Sequence, residues 1–162
     1  MSSEAPVTHS LDPRVVNLWR LQGFTRLATF WIPVLGVLTV FLRLRYGMGA
    51  AGWAALAICV LVALRAVVWP SLAFHRYRYA VRDDDLLVES GVLFRHTVSI
   101  PLDRIQHVDT RQGPLERLFG LSRVVVYTAA GISADGSIPG LDEAGADQLR
   151  DGLVRRRGDD GV

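Results

Sequence analysis

The chain contains no lysine: all eighteen of its basic residues are arginine, set against sixteen acids. It has a single cysteine, Cys59, which excludes an intramolecular disulfide and a cysteine-built metal site. It also lacks a glycine-rich phosphate loop, a nucleophile elbow and a paired-histidine zinc helix. His75, His96 and His107 do not fall at metal-ligand spacing, and His96, alternating with apolar neighbours, is expected to be a satisfied core histidine. No catalytic residue, cofactor or metal is therefore expected. Acids are scarce in one half: residues 1–71 hold only Glu4 and Asp12 against six arginines, whereas residues 72–162 hold fourteen acids against twelve arginines. The isoelectric point near 9.1 thus belongs to the first half. A nucleic-acid partner is disfavoured, because it would need a cationic soluble domain.

What is present is apolar. Half of the 162 residues are hydrophobic and the mean hydropathy is +0.25, which excludes a disordered chain. Residues 27–42 carry no charge, nor do residues 46–64. The first run, between Arg26 and Arg43, spans roughly 24 Å as a helix, and snorkelling of the flanking arginines extends it toward a hydrocarbon core of about 30 Å. Pro33 and Gly36 inside it predict a kink near Ile32, tolerable in a transmembrane helix. The second run, from about Gly47 to Trp69, has Arg65 within snorkelling reach of the headgroups and Trp69-Pro70 as an interfacial anchor and a stop. Only residues 43–47 separate the two, so they form a tight hairpin with both ends on one side.

Seven arginines lie on the side of the ends (Arg14, Arg20, Arg26, Arg65, Arg76, Arg78, Arg82) and two, Arg43 and Arg45, in the loop. Both termini are therefore expected in the cytoplasm. A cleavable signal peptide ending at Gly49-Ala50-Ala51 competes for the first run, but its charged leader would be unusually long and a second span follows. Ahead of the first span, Asp12 as N-cap, Pro13, and Val15, Leu18 and Trp19 at helical spacing predict either a short interfacial helix or an extension of the span.

From Phe74 the period becomes two. Tyr77, Tyr79 and Val81 alternate with Arg76, Arg78 and Arg82, followed by the turn Asp83-Asp84-Asp85. Strands are expected over residues 86–90, 94–100 (Phe94, His96, Val98 and Ile100 on one face), 104–111 and 123–128, with a short edge strand at 137–139. Pro114 to Phe119 predicts a short helix stopped by Gly120, residues 129–136 a turn, and residues 142–157 a helix with an Ala146, Leu149, Leu153 stripe. The pattern gives a small bent sheet or partly open barrel with a helix closing one end.

The stretches IPLDRIQHV (residues 100–108) and QGPLERLFGL (residues 112–121) resemble the bacterial pleckstrin-homology-like (PH-like) domain of YdbS-like membrane-flanked proteins. The likeness extends to the aromatic strand after the second span, the Gly91 turn, Val126 to Ala129 and Ile138 to Leu141. It implies an α+β membrane protein: an N-terminal transmembrane helical hairpin, then a PH-like small antiparallel β-barrel capped by a C-terminal helix. The expected layout is an N-terminal cytoplasmic segment with a short interfacial helix (1–25), the hairpin (26–70), the PH-like domain (71–157) and a disordered tail (158–162). The resemblance implies no catalytic activity. It points to the bacterial plasma membrane, to a partner membrane protein with PH-like domains, and to envelope stress or toxic-peptide resistance.

Two residue sets are candidates for function. Arg76, Arg78 and Arg82 form a basic strand face for contact with the membrane surface, while the three aspartates of the next turn would repel a lipid phosphate there. Arg104, Gln106, Glu116 and Arg117 form a candidate interaction corner, in which Asp103, Arg104, Glu116 and Arg117 are expected to pair with one another. The edge strand at Ser137 to Pro139 and the groove beside the last helix are candidate docking sites. Two alternatives to an interaction module remain: an anionic-lipid sensor, or a small exporter subunit packed through Gly36, Gly47, Gly49 and Gly52.

Overall fold

The computed structural model describes residues 9–47, 49–129 and 136–159, with the side chains of 157–159 left aside. The chain divides into a helical unit, residues 16–71, and a sheet unit made of residues 1–15 and 72–162. Residues 1–8 of the expected N-terminal segment, most of the 129–136 turn and residues 160–162 of the expected tail lie outside the described residues.

Helix α1 (Arg14–Arg26) passes through a π-helical turn (Leu27–Trp31) directly into α2 (Ile32–Tyr46). The segment before the first span is therefore its extension, not a separate interfacial helix. The irregularity expected near Ile32 takes the form of that π turn. Pro33 has no N–H and its ring crowds the carbonyl one turn back, so the ladder widens and the Ile32 N–H donates to the Leu27 carbonyl. Gly47, in the left-handed region at φ 65°, ends α2 by donating its N–H to the Arg43 carbonyl at 3.0 Å.

Helix α3 (Ala51–Arg76) does not stop at Trp69-Pro70 as the sequence predicts; it carries Pro70 inside and ends six residues later. Arg20 supplies donors next to the gap, reaching the Val67 carbonyl at 3.3 Å and the Ser71 hydroxyl at 2.9 Å. Polar groups of this kind let a helix in apolar surroundings continue through proline. The close contact inside the unit is also not at the expected glycines. A Cβ on Gly23 would sit 2.7 Å from that of Ala66, whereas Gly36, Gly47 and Gly49 meet nothing within 4 Å and Gly52 meets only the Thr39 methyl, at an ordinary 3.9 Å. Both helices are long and apolar enough to cross a membrane, and only 6% and 11% of their most apolar stretches are buried within the protein.

The sheet unit contains two antiparallel three-stranded meanders. One orders β1 (Arg78–Val81), β2 (Asp85–Ser90) and β3 (His96–Pro101); the other β4 (Ile105–Arg111), β5 (Leu121–Thr128) and β6 (Gly136–Asp142). A 3-10 turn (Leu102–Arg104) joins them, α4 (Pro114–Leu118) links β4 to β5, and α5 (Glu143–Asp159) follows β6. Apolar residues at alternate strand positions and along one stripe of α5 close a single core. Leu86, Ile100, Leu102, Leu121, Val124, Val126, Ile138, Ala146 and Leu153 are buried in it. The layout is compatible with the expected PH-like one: α5, predicted from its Ala146, Leu149 and Leu153 stripe, packs on the β4-β5-β6 sheet.

Two departures have a tertiary cause. In β1, Tyr79 and Ala80 are both buried, so the expected alternation is lost. The outer edge of β1 is covered by the N-terminal strap. His9 and Tyr79 exchange backbone hydrogen bonds at 2.7 and 3.1 Å and stack their rings at 5.4 Å. Further along the strap, the Asp12 N–H donates to the Gly140 carbonyl, and Val15 packs so closely on Gly140 (φ 65°) that no side chain fits there. In the β2–β3 hairpin, the strand begins at His96, not Phe94, and His96 is exposed, which overturns its expected place in the core. Burial along β3 is complete only at Ile100, the end away from the hairpin loop.

Candidate functional sites

Glu116 decides the conformation of the β4–α4–β5 corner. Its carboxylate is buried, and isolated burial of a charge is costly unless it is paired and hydrogen-bonded. It accepts from the Gly113 backbone N–H at 2.6 Å and from Arg123 at 2.7 Å (Nε) and 2.6 Å (Nη2). Pro114 at the first helical turn and the Gln112 side chain on the Leu121 carbonyl at 3.1 Å complete the lock. The partner of Glu116 is therefore Arg123, not the expected Arg104 or Arg117. The corner turns Arg117 outward beside Leu118, which is 72% exposed. Arg104 and Gln106, also exposed, lie at the opposite end of β4, roughly 20 Å away along the strand. The four residues of the expected corner are thus split between the two ends of one strand.

The basic set is split as well. Arg76 is the last residue of α3 and Arg78 opens β1; with His75, Glu89, Arg95 and the 90–93 loop they line a cleft of about 430 Å³. Arg95 faces Glu89 at 3.1 Å. Arg82 sits past the far end of β1, where its N–H donates to the Asp85 carbonyl and its carbonyl accepts from Arg156 at 2.8 Å. Its guanidinium is 3.8 Å from the Asp85 carboxylate. Arg95, which period two places on the polar face of an expected strand, lies before β3 and takes the third basic position beside Arg76 and Arg78.

Two further constellations appear only in three dimensions. On the outer face of β4–β5, His107 contacts Asp109 at 2.6 Å, while Arg111 contacts Asp109 and the Tyr127 hydroxyl and lies over the Tyr127 ring. Among the described residues no three of His, Cys, Asp or Glu gather as a metal site. Tyr77 donates its hydroxyl to the Ser137 carbonyl at 2.6 Å, and burial pushes its pKa far up, so the phenol remains a donor. That bond engages one carbonyl of the β6 edge expected to be open for docking.

Residues 23–157 match the bacterial PH domain family. The chain belongs to that family. It is also 32% identical over 155 residues, 91% of each chain, to the UPF0699 transmembrane protein YdbS of Bacillus subtilis (strain 168). A second relative there, the UPF0699 transmembrane protein YdbT, is 24% identical over 98 residues, covering 60% of this chain and 19% of YdbT. No solved structure matches the chain. The family member described here is thus a membrane protein of the YdbS type, with a PH-like domain and two candidate transmembrane helices.

Proposed function

We propose that this chain is a membrane-anchored PH-like interaction module, facing the cytoplasm from the bacterial plasma membrane, that assembles with a second membrane protein carrying PH-like domains. It works by association and not by catalysis, and the process we assign to it is resistance to envelope stress or toxic peptides. The observation that carries the reading is the α4 corner: a buried Glu116 carboxylate, paired with the partly exposed Arg123, holds a single turn of helix while leaving Arg117 and Leu118 in solvent. Arginine is among the side chains that most often dominate protein contacts, and a turn held on a fixed scaffold that leaves one exposed beside an uncovered apolar side chain supports such a contact. The match to one fifth of a longer transmembrane relative supports a partner built from the same kind of domain. The arginine excess on the side of the chain ends supports the cytoplasmic orientation.

The test is purification of the full chain in mild detergent from its native membrane, alongside Leu118→Asp and a chain lacking residues 71–162. We expect a stoichiometric membrane protein with PH-like domains to copurify with the unaltered chain and to be lost from both variants. Equal recovery with Leu118→Asp would remove the corner as the docking site, and no such partner would overturn the reading.

A further inference from the structure

Among the described residues of the sheet unit, the β2–β3 hairpin carries the most exposed large apolar side chains: Leu93 is 77% exposed and its neighbour Phe94 86%. This exposure is built in. Gly91 takes φ 108°, and any Cβ there would collide with the Phe94 carbonyl, so the loop is a tight structure that only glycine permits. Directly beside the tip is the cleft lined by Arg76, Arg78 and Arg95, with Glu89 as the one carboxylate on its wall. Two adjacent apolar side chains flanked by three arginines match an anionic lipid surface, which takes apolar groups below its phosphates and guanidinium groups at them.

Arg76 lies on the cleft wall and is also the last residue of α3. Arg65 lies over the Trp69 ring at 5.3 Å, a snorkelling arginine on an interfacial tryptophan. Arg76 follows Trp69 on the same helix by roughly 10 Å. The headgroup layer occupies about 5 to 8 Å on each side of the hydrocarbon core, so Arg76 ends the helix at the outer margin of that layer, with a side chain long enough to reach back to the phosphates.

We infer that the hairpin tip, Leu93 and Phe94, inserts into the leaflet from which α3 emerges, and that Arg76, Arg78 and Arg95 bind the phosphate of an anionic phospholipid in the adjoining cleft. The site is independent of the partner-docking corner at α4. It also differs from the sequence reading in losing Arg82, tied at the other end of β1, and in gaining Arg95 and the apolar tip.

The experiment uses the full chain carrying Cys59→Ser and one new cysteine, either Leu93→Cys or, at the opposite end of the hairpin, Asp83→Cys. Each is labelled with a polarity-sensitive fluorophore and reconstituted into vesicles of phosphatidylcholine alone or of equal parts phosphatidylcholine and phosphatidylglycerol, with a lipid-borne quencher. We expect quenching at position 93 well above that at 83, and stronger with phosphatidylglycerol. Adding Arg76→Gln, Arg78→Gln and Arg95→Gln should weaken insertion on the order of fivefold per arginine. Equal quenching at 93 and 83 would overturn the inference by leaving the tip in water or for a protein partner. Quenching at 93 that ignores both lipid charge and the arginine substitutions would overturn the phosphate site.

Discussion

The two units handle apolar surface in opposite ways. In the helical unit Val37, Leu44, Trp53 and Leu61 point outward, and the apolar stretches are almost wholly uncovered by protein. In the sheet unit side chains of the same kind, from Leu86 to Leu153, are sealed in a core. The contrast teaches that hydrophobic residues here obey their solvent, not a general inside rule: the lipid phase is as apolar as leucine, so no burial is gained by turning the spans inward. Helix contacts then depend on close approach of small residues and on polar clamps, as at Gly23–Ala66 and Arg20–Ser71.

The sharpest way to break this comparison is to cut equal apolar volume from both units. Leu121→Ala, in the sheet core, should cost about 2–5 kcal/mol through lost burial and a cavity. Leu61→Ala, on the outer face of α3, should change stability little. Denaturant titration in micelles, followed by near-ultraviolet circular dichroism, measures both, and comparable losses would show that the helical face is covered after all.

Next in size, Glu116→Ala should destabilise the sheet unit by about 1–3 kcal/mol, because the Gly113 N–H loses its acceptor. Glu89→Ala removes a pair whose arginine is largely exposed, and should cost under about 1 kcal/mol in the same titration. Within the helical unit, Gly23→Val should cost about 1–3 kcal/mol by pushing against Ala66, while Gly36→Val should be close to neutral. Thermal melts of the detergent-solubilised protein separate the two.

The smallest expected effect is a pH dependence of the N-terminal strap. Chiefly the hydrogen bond from the Arg14 side chain holds the Asp12 carboxyl below its ordinary range. A carboxyl depressed in the folded state contributes its stabilisation above the unfolded value near about 4, and loses it as pH falls through the lower folded value. The difference in stability between the unaltered chain and Asp12→Asn should therefore shrink as pH drops from about 5 to about 3. A constant difference would place Asp12 outside the linkage.

Much of the fold is legible in the residues because its determinants are local. Uncharged runs long enough to span, the Pro33 irregularity, the Pro114 helix with Gly120 after it, and the Ala146, Leu149, Leu153 stripe each depend on neighbours within a few turns. The candidate sites were less legible. Arg76, Arg78 and Arg82 look alike by period two, but α3 continues through Pro70 and takes Arg76 into the helix, while the Asp85 turn claims Arg82. The one signal of the hairpin tip in the sequence is Gly91 followed by Leu93 and Phe94; period two assigns Phe94 to a strand face because it cannot count the loop residues that the Gly91 turn consumes.

Composition and short-range order already show where the chain meets apolar solvent, where it alternates as strands, and which side of the spans gathers arginine. The folded arrangement is needed to see that His9 extends the β1 edge, that Glu116 belongs to Arg123, and that Arg95 joins Arg76 and Arg78 beside an exposed apolar tip. Those pairings join residues across loops and strand registers, where the energy depends on three-dimensional separation and burial, quantities that linear spacing does not carry.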